Sequence, residues 1–190
     1  DIIAFTGHKT LYGPLGIGGF INVSGIPLDV FISGGTGSDS LNLEMPDGKE
    51  SRYEASSCNI VAVAGLNAAL KNIDPVFCMK QEKELSDYLI EKLSSMKKIK
   101  VYLPGNQKQH VGIVSFIVEG FNSEDIGTIL DADFDIAVRT GYHCAPFIHK
   151  YLKDAATLGT VRVGLGQFST TEDIDKFIAG LKEVIDEEIY

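Results

Sequence analysis

"FTGHKTLYGPLGIGG", residues 5–19, sets one lysine at the end of a strand-forming stretch and follows it with four glycines and a proline. A lone lysine at a strand end is most often a solvated surface residue. Here His8 precedes Lys9, and Gly13, Gly16, Gly18 and Gly19 follow it, a run that lets backbone approach a ligand closely. The glycine order fits neither a dinucleotide fingerprint nor a phosphate-binding P-loop. What remains is a lysine held beside a histidine and a polar turn, suited to Schiff-base chemistry once its amine is deprotonated.

Composition bounds the rest. The 190 residues suffice for one sizeable domain or parts of two, and 44% hydrophobic content suits a packed core. With 26 acidic against 17 basic residues the formal charge is -9, and no Lys/Arg block forms a phosphate-tracking stripe, so nucleic acid is not an expected partner. No apolar run approaches the roughly 18 residues of a membrane helix, and the start lacks the basic region of a signal peptide. A cytoplasmic setting, with no membrane partner, is the expectation. Cys58, Cys78 and Cys144 lack the spacing of a zinc site or a redox pair, so free thiols and no metal are expected. The chain opens at Asp1 on strand-like "DIIAF" without a methionine, which reads as a fragment of something longer.

Through residue 70 the sequence reads as short strands joined by tight turns, "DIIAF" and "GGFINV" among them. "SSCNIVAVAGLNAALKNI" follows as a helix capped by Ser56 or Ser57. A second helix starts at Asp74-Pro75, with Cys78, Leu85, Tyr88, Leu89, Leu93 and Met96 on its apolar face. From about residue 99, strands alternate with short helices. The last helix has a capping box at Thr170 and Asp173 and a face of Ile174, Phe177, Ile178, Leu181 and Ile185. The expected fold class is α/β. Residues 75–190 form a small domain with a mixed sheet flanked by helices, and residues 1–72 are an incomplete portion of a larger domain whose apolar surface favours self-association.

"VRTGYHCAP", residues 138–146, is the second chemical site. A free cysteine is most often a small buried hydrophobe. Cys144 instead follows Arg139, Tyr142 and His143 in a turn-like stretch, and Pro146 suits a helix start, so positive charge and helix-terminal amides would favour a nucleophilic thiolate. Arg162, alone in the apolar strand "TVRVGL", reads either as an edge side chain reaching solvent or as a fork gripping a carboxylate. Cys58 lacks a base or fixed cation and reads as a packing or capping-loop residue, and Cys78 lies on a helix face and reads as a packing residue.

In order, "TGHK", "LYGPLGIGGF", "GGTGSDS", "RYEASSCN", "RTGYHCAP" and "VRVGLGQFSTTEDID" resemble the second half of a group II cysteine desulfurase or selenocysteine lyase-like protein of the class V aminotransferase group. The resemblance implies the C-terminal part of a pyridoxal 5'-phosphate (PLP)-dependent transferase of the aspartate aminotransferase-like fold type I, residues 1–72 from its large PLP-binding domain and 75–190 its small C-terminal α+β domain. It implies a PLP-dependent desulfurase, or sulfurtransferase, acting on L-cysteine or selenocysteine as a homodimer and handing sulfur to an acceptor protein. Lys9 would hold the cofactor and move the substrate α-proton. Thr6 and His8 would lie at its phosphate. Gly35 and Thr36 would reach the partner subunit's phosphate, Arg162 with Arg139 nearby would bind the substrate carboxylate, and Cys144 would take the sulfur as a persulfide, releasing L-alanine. His143 would favour the thiolate or shuttle a proton. The family shows E-A-G-T-x-N where this chain has "EASSCN", so Ser56 stands in place of glycine and the local backbone is expected to differ. The family's ring-stacking histidine and its aspartate for the pyridinium nitrogen lie upstream of the lysine, so the isolated chain is expected to be inactive. Two alternatives stay open, a non-catalytic C-terminal module and a class V aminotransferase without desulfuration.

Overall fold

A computed structural model describes residues 1–37, 41–48 and 50–187. Ser38, Asp39 and Ser40 of "GGTGSDS", and the last three residues of the 75–190 segment, lie outside the described residues. The chain divides into two compact units, Asp1–Ile73 and Asp74–Tyr190.

In the first unit, β1 (Ile2–Thr6) and β2 (Gly18–Asn22) pair antiparallel, with Ile2 opposite Asn22 and Thr6 opposite Gly18. They are the only strands among the described residues of this unit, fewer than the sequence suggests. Residues 23–59 hold so many Gly, Pro, Ser, Asp and Asn residues that turns displace any further ladder. Among the glycines after Lys9, Gly13 serves the chain's own packing. The Gly13 N–H donates to the Gly7 carbonyl at 2.8 Å, and a Cβ on Gly13 would sit 2.8 Å from Leu66 Cδ1 and 2.9 Å from that carbonyl. Only glycine tolerates so close an approach. The loop is thereby seated on α1 (Ile60–Asn72), whose Ala62 and Leu66 are buried.

The start of α1 differs from expectation. Asn59, not Ser56 or Ser57, caps it, its Oδ1 accepting the Ala62 N–H at 3.1 Å. Ser56 cannot belong to the helix because its φ is +75°, in the left-handed region.

The second unit begins with α2 (Pro75–Ser94). Asp74 Oδ1 accepts the N–H groups of Val76 and Phe77, each at 3.0 Å, and Pro75 occupies the first turn, where a missing N–H costs nothing. Then come β3 (Ile99–Tyr102), β4 (Ile113–Val118), α3 (Ser123–Phe134), β5 (Arg139–Gly141), α4 (Pro146–Leu152), β6 (Thr160–Gly164) and α5 (Thr171–Glu187). The capping box of α5 forms as the sequence predicts: Asp173 Oδ2 accepts from the Thr170 N–H at 2.9 Å, and Thr170 Oγ1 accepts from the Asp173 N–H at 3.2 Å.

The sheet order is β3-β4-β6-β5, and every neighbouring pair is antiparallel. The expected mixed sheet is therefore corrected. β4 and β5, joined through α3, do run the same way, but β6 is inserted between them, so the crossover produces no parallel contact. Along β4, Val114, Phe116 and Val118 are buried, while the alternate residues are exposed or half-buried. The buried face packs on Leu85, Leu89 and Leu93 of α2, Ile126 and Leu130 of α3, and Ile174, Phe177, Ile178, Leu181, Val184 and Ile185 of α5. Burying each such side chain stabilises by about 2 kcal/mol. Cys78 is buried in this unit, with its Sγ 3.5 Å from Gln167 Oε1, as a packing residue should be.

Candidate functional site

The residues with predicted roles fall in both units. In the first, Thr6 closes β1, and Thr6 Oγ1 lies 3.2 Å from His8 Nδ1 in a hydrogen bond. Lys9 follows in the turn, its carbonyl accepting the Tyr12 N–H at 2.9 Å, with its side chain exposed. The lysine is therefore fixed at the backbone and free at the amine, with no ion-pair partner among the described residues. Gly35 is exposed with open space where a Cβ would project, and its carbonyl accepts the Ser56 N–H at 2.7 Å. That bond ties the "GGTG" segment, with half-buried Thr36, to "EASSCN".

In the second unit the face of the sheet away from α2, α3 and α5 carries both arginines with predicted roles. Register places Tyr102 opposite Ser115, Ser115 opposite Arg162, and Arg162 opposite Arg139, a row crossing all four strands on one face. This explains an arginine in an apolar strand: its neighbour Val161 faces the core, while Arg162 faces the open side. Directly opposed like charges destabilise a sheet. Neither guanidinium has an ion-pair partner among the described residues.

Cys144 is exposed and sits in a tight turn. The Ala145 N–H donates to the Tyr142 carbonyl at 2.8 Å, and the two residues between, His143 and Cys144, have φ of +51° and +60°. Two consecutive left-handed residues are the pattern of a type I′ turn, normally filled by Asn and Gly. Before the turn, Gly141 lies so close to Gly159 that a Cβ on Gly159 would fall 2.4 Å from the Gly141 carbonyl oxygen. α4 follows with seven residues, too short to bring much helix dipole, so the expected contribution of helix-terminal amides is small.

His143 turns to the sheet instead of pairing with its neighbour in sequence. Its Nε2 lies 2.7 Å from Thr160 Oγ1, and its Nδ1 is buried without a partner among the described residues. Burial first, then the positive charge of Arg162, holds its pKa below the usual histidine value; His149 and Arg139 act in the same direction and the Thr160 hydrogen bond opposes them. Neutral pH therefore leaves the ring uncharged. Tyr102 is pushed the other way, above the usual phenol value, by burial and by the charge of Asp154, and its hydroxyl donates to the Leu152 carbonyl at 3.1 Å. A hollow of about 400 Å³ is lined by Tyr102, Ser115, His143, His149, Thr160 and Arg162 with apolar neighbours.

The sequence reading missed His149, Asp154 and Thr160, all buried here. The signal in "PFIHKYLKD" was a histidine five residues before an aspartate, but the surrounding aromatic residues compete for the inner face of any helix drawn there.

Comparison with known proteins places this geometry in context. The chain is 35% identical over 97% of its length to a protein of Pyrococcus abyssi named "Probable cysteine desulfurase", of which it covers 47%. It is 32% identical over 97% of its length to a cysteine desulfurase of Klebsiella pneumoniae, covering 45% of that protein. Among solved structures, the apo cysteine desulfurase of Thermococcus onnurineus NA1 superposes with a TM-score of 0.82 at 30% identity, over 98% of this chain and 47% of that one. The chain thus has the α/β fold of these enzymes and spans about half the length of the relatives it matches. The profile of the family described as aminotransferase class-V matches residues 1–177, from the lysine turn through the cysteine turn and into the last helix, and the chain belongs to that family.

Proposed function

We propose that this chain supplies the lysine, the thiol and the carboxylate grip of a PLP-dependent cysteine desulfurase. The single observation that carries the reading is an exposed cysteine in a strained turn on the same unit as a cross-strand arginine pair that has no ion-pair partner among the described residues. A sulfur-accepting thiol and an α-carboxylate site are the two features that sulfur removal from an amino acid needs and that transamination needs only in part.

The residues of the first unit fit PLP. Thr6 and His8 offer hydrogen-bond donors for a phosphate, and Lys9 presents a free amine beside them, on a backbone turn held by its own hydrogen bonds. When bound, PLP supplies the electron sink for the substrate carbon skeleton. Lys9 Nζ is the attachment point for the cofactor and the group that moves the substrate α-proton. Arg162 and Arg139 hold the substrate α-carboxylate. Cys144 Sγ, as thiolate, attacks the substrate sulfur: an S–S bond forms, the substrate C–S bond breaks, and its electron pair stays on the carbon, which is protonated to give L-alanine. Neutral His143 leaves the positive charge of the site to the arginines. L-cysteine is the proposed substrate. A second copy of the chain is the proposed recipient of Gly35 and Thr36, and the exposure of Gly35 supports a contact outward.

The test uses the whole protein carrying this chain, with PLP and L-cysteine. Alanine should form together with an equal amount of protein-bound or released sulfur, and Lys9→Ala should lose both. Keto acid without sulfur would favour an aminotransferase, and no turnover at all would favour a non-catalytic module.

A further inference from the structure

His149 lies on α4 yet is 6% exposed, and its partner Asp154 is 1% exposed. His149 Nδ1 is 2.5 Å from Asp154 Oδ2, and His149 Nε2 is 3.2 Å from the Tyr142 carbonyl. Both ring nitrogens therefore face oxygen atoms, one of a carboxylate and one of a backbone carbonyl. The Tyr142 ring adds an edge contact, its centroid 5.0 Å from that of His149.

The Tyr142 carbonyl is the acceptor that closes the turn holding Cys144, so it receives two hydrogen bonds, one from Ala145 and one from His149. Left-handed backbone at two successive non-glycine residues is strained, and it persists where surrounding structure enforces it. His143 and Cys144 carry that strain, and from outside the turn the His149 bond, among the described residues, grips its closing carbonyl. Asp154 fixes the direction of the ring by accepting a hydrogen bond from its other nitrogen, Nδ1.

We propose that His149 and Asp154 form a positioning pair that fixes, through the Tyr142 carbonyl, the left-handed turn presenting Cys144. The pair touches no reacting atom; it sets where the thiol stands. The inference rests on reading Cys144 as the sulfur acceptor for its consequence in turnover, but the clamp on the turn is measurable without it.

The experiment separates the two bonds of the ring. A glutamine at 149 can still donate to the Tyr142 carbonyl, as Nε2 does, whereas an asparagine reaches only toward residue 154. Both are made in an Asp154→Asn background, so that no unpaired carboxylate is left buried. In the whole protein with PLP and L-cysteine, His149→Gln should stay within about 3-fold of the Asp154→Asn reference in kcat, since the thiol keeps its place. His149→Asn should lower kcat by about 10-fold or more with KM within about 2-fold, because the arginine grip is untouched. Amide hydrogen exchange at Ala145 should be protected in the wild type, retained with glutamine and accelerated with asparagine. A residue that merely fills space would treat the two variants alike, and equal kcat and equal Ala145 exchange would overturn the proposal. Faster exchange without any fall in kcat would overturn the positioning role. If the asparagine variant does not fold, the wild type decides: an Ala145 amide exchanging like a free loop amide would sink the clamp. If the wild type releases no sulfur, the desulfurase reading fails while Ala145 exchange still reads the clamp.

Discussion

Ser56 holds its backbone at φ +75°, where an L side chain is strained by roughly 1–2 kcal/mol and glycine is not. The family resemblance has glycine at this position, and here a serine takes a φ that glycine adopts freely. Ser56→Gly should therefore stabilise the chain by about 0.5–1 kcal/mol, the relief of strain being partly offset by the greater freedom of glycine in the unfolded chain. Chemical denaturation of the two proteins measures it; a destabilised glycine variant would mean that the serine side chain contributes more than its backbone costs. At this scale the chemistry-bearing residues stand out in the sequence because they break local pattern: Lys9 before a glycine run, Cys144 among polar turn residues, Arg162 inside an apolar strand. His149 does not stand out, because its neighbours Phe147 and Tyr151, 75% and 82% exposed, would fill the inner face of any helix drawn from hydrophobicity alone.

Elements with strong local signals are the ones the sequence specifies. α2 carries Asp74 and Pro75 at its start and leucines at helical spacing, and α5 carries a capping box. Asp74 accepts two of the orphan N–H groups at the head of α2, so Asp74→Ala should cost about 1 kcal/mol of stability. Denaturant midpoints with an unchanged slope would show it, and a change below a few tenths would mean that water satisfies those donors equally well. The all-antiparallel order of the sheet was not legible, because periodicity reports which face of a strand is buried and not which strand lies beside it. The strand count of the first unit was overread for a related reason: β-branched residues between turn formers look like strands whether or not a neighbour exists to pair with them.

For the whole molecule, large apolar side chains stand almost fully in solvent in the first unit, Phe31, Leu41 and Leu43 at 97–98%, which fits a chain that works within a larger assembly. The central claim is that Cys144 receives sulfur, and mass spectrometry of the whole protein after one exposure to L-cysteine tests it most directly. The account predicts a gain of one sulfur atom on the peptide containing Cys144, none on those containing Cys58 or Cys78, and complete loss of the adduct in Cys144→Ser. That variant should lose under about 1 kcal/mol of stability, since the side chain is exposed. A persulfide on another cysteine, or one that survives in Cys144→Ser, would contradict it.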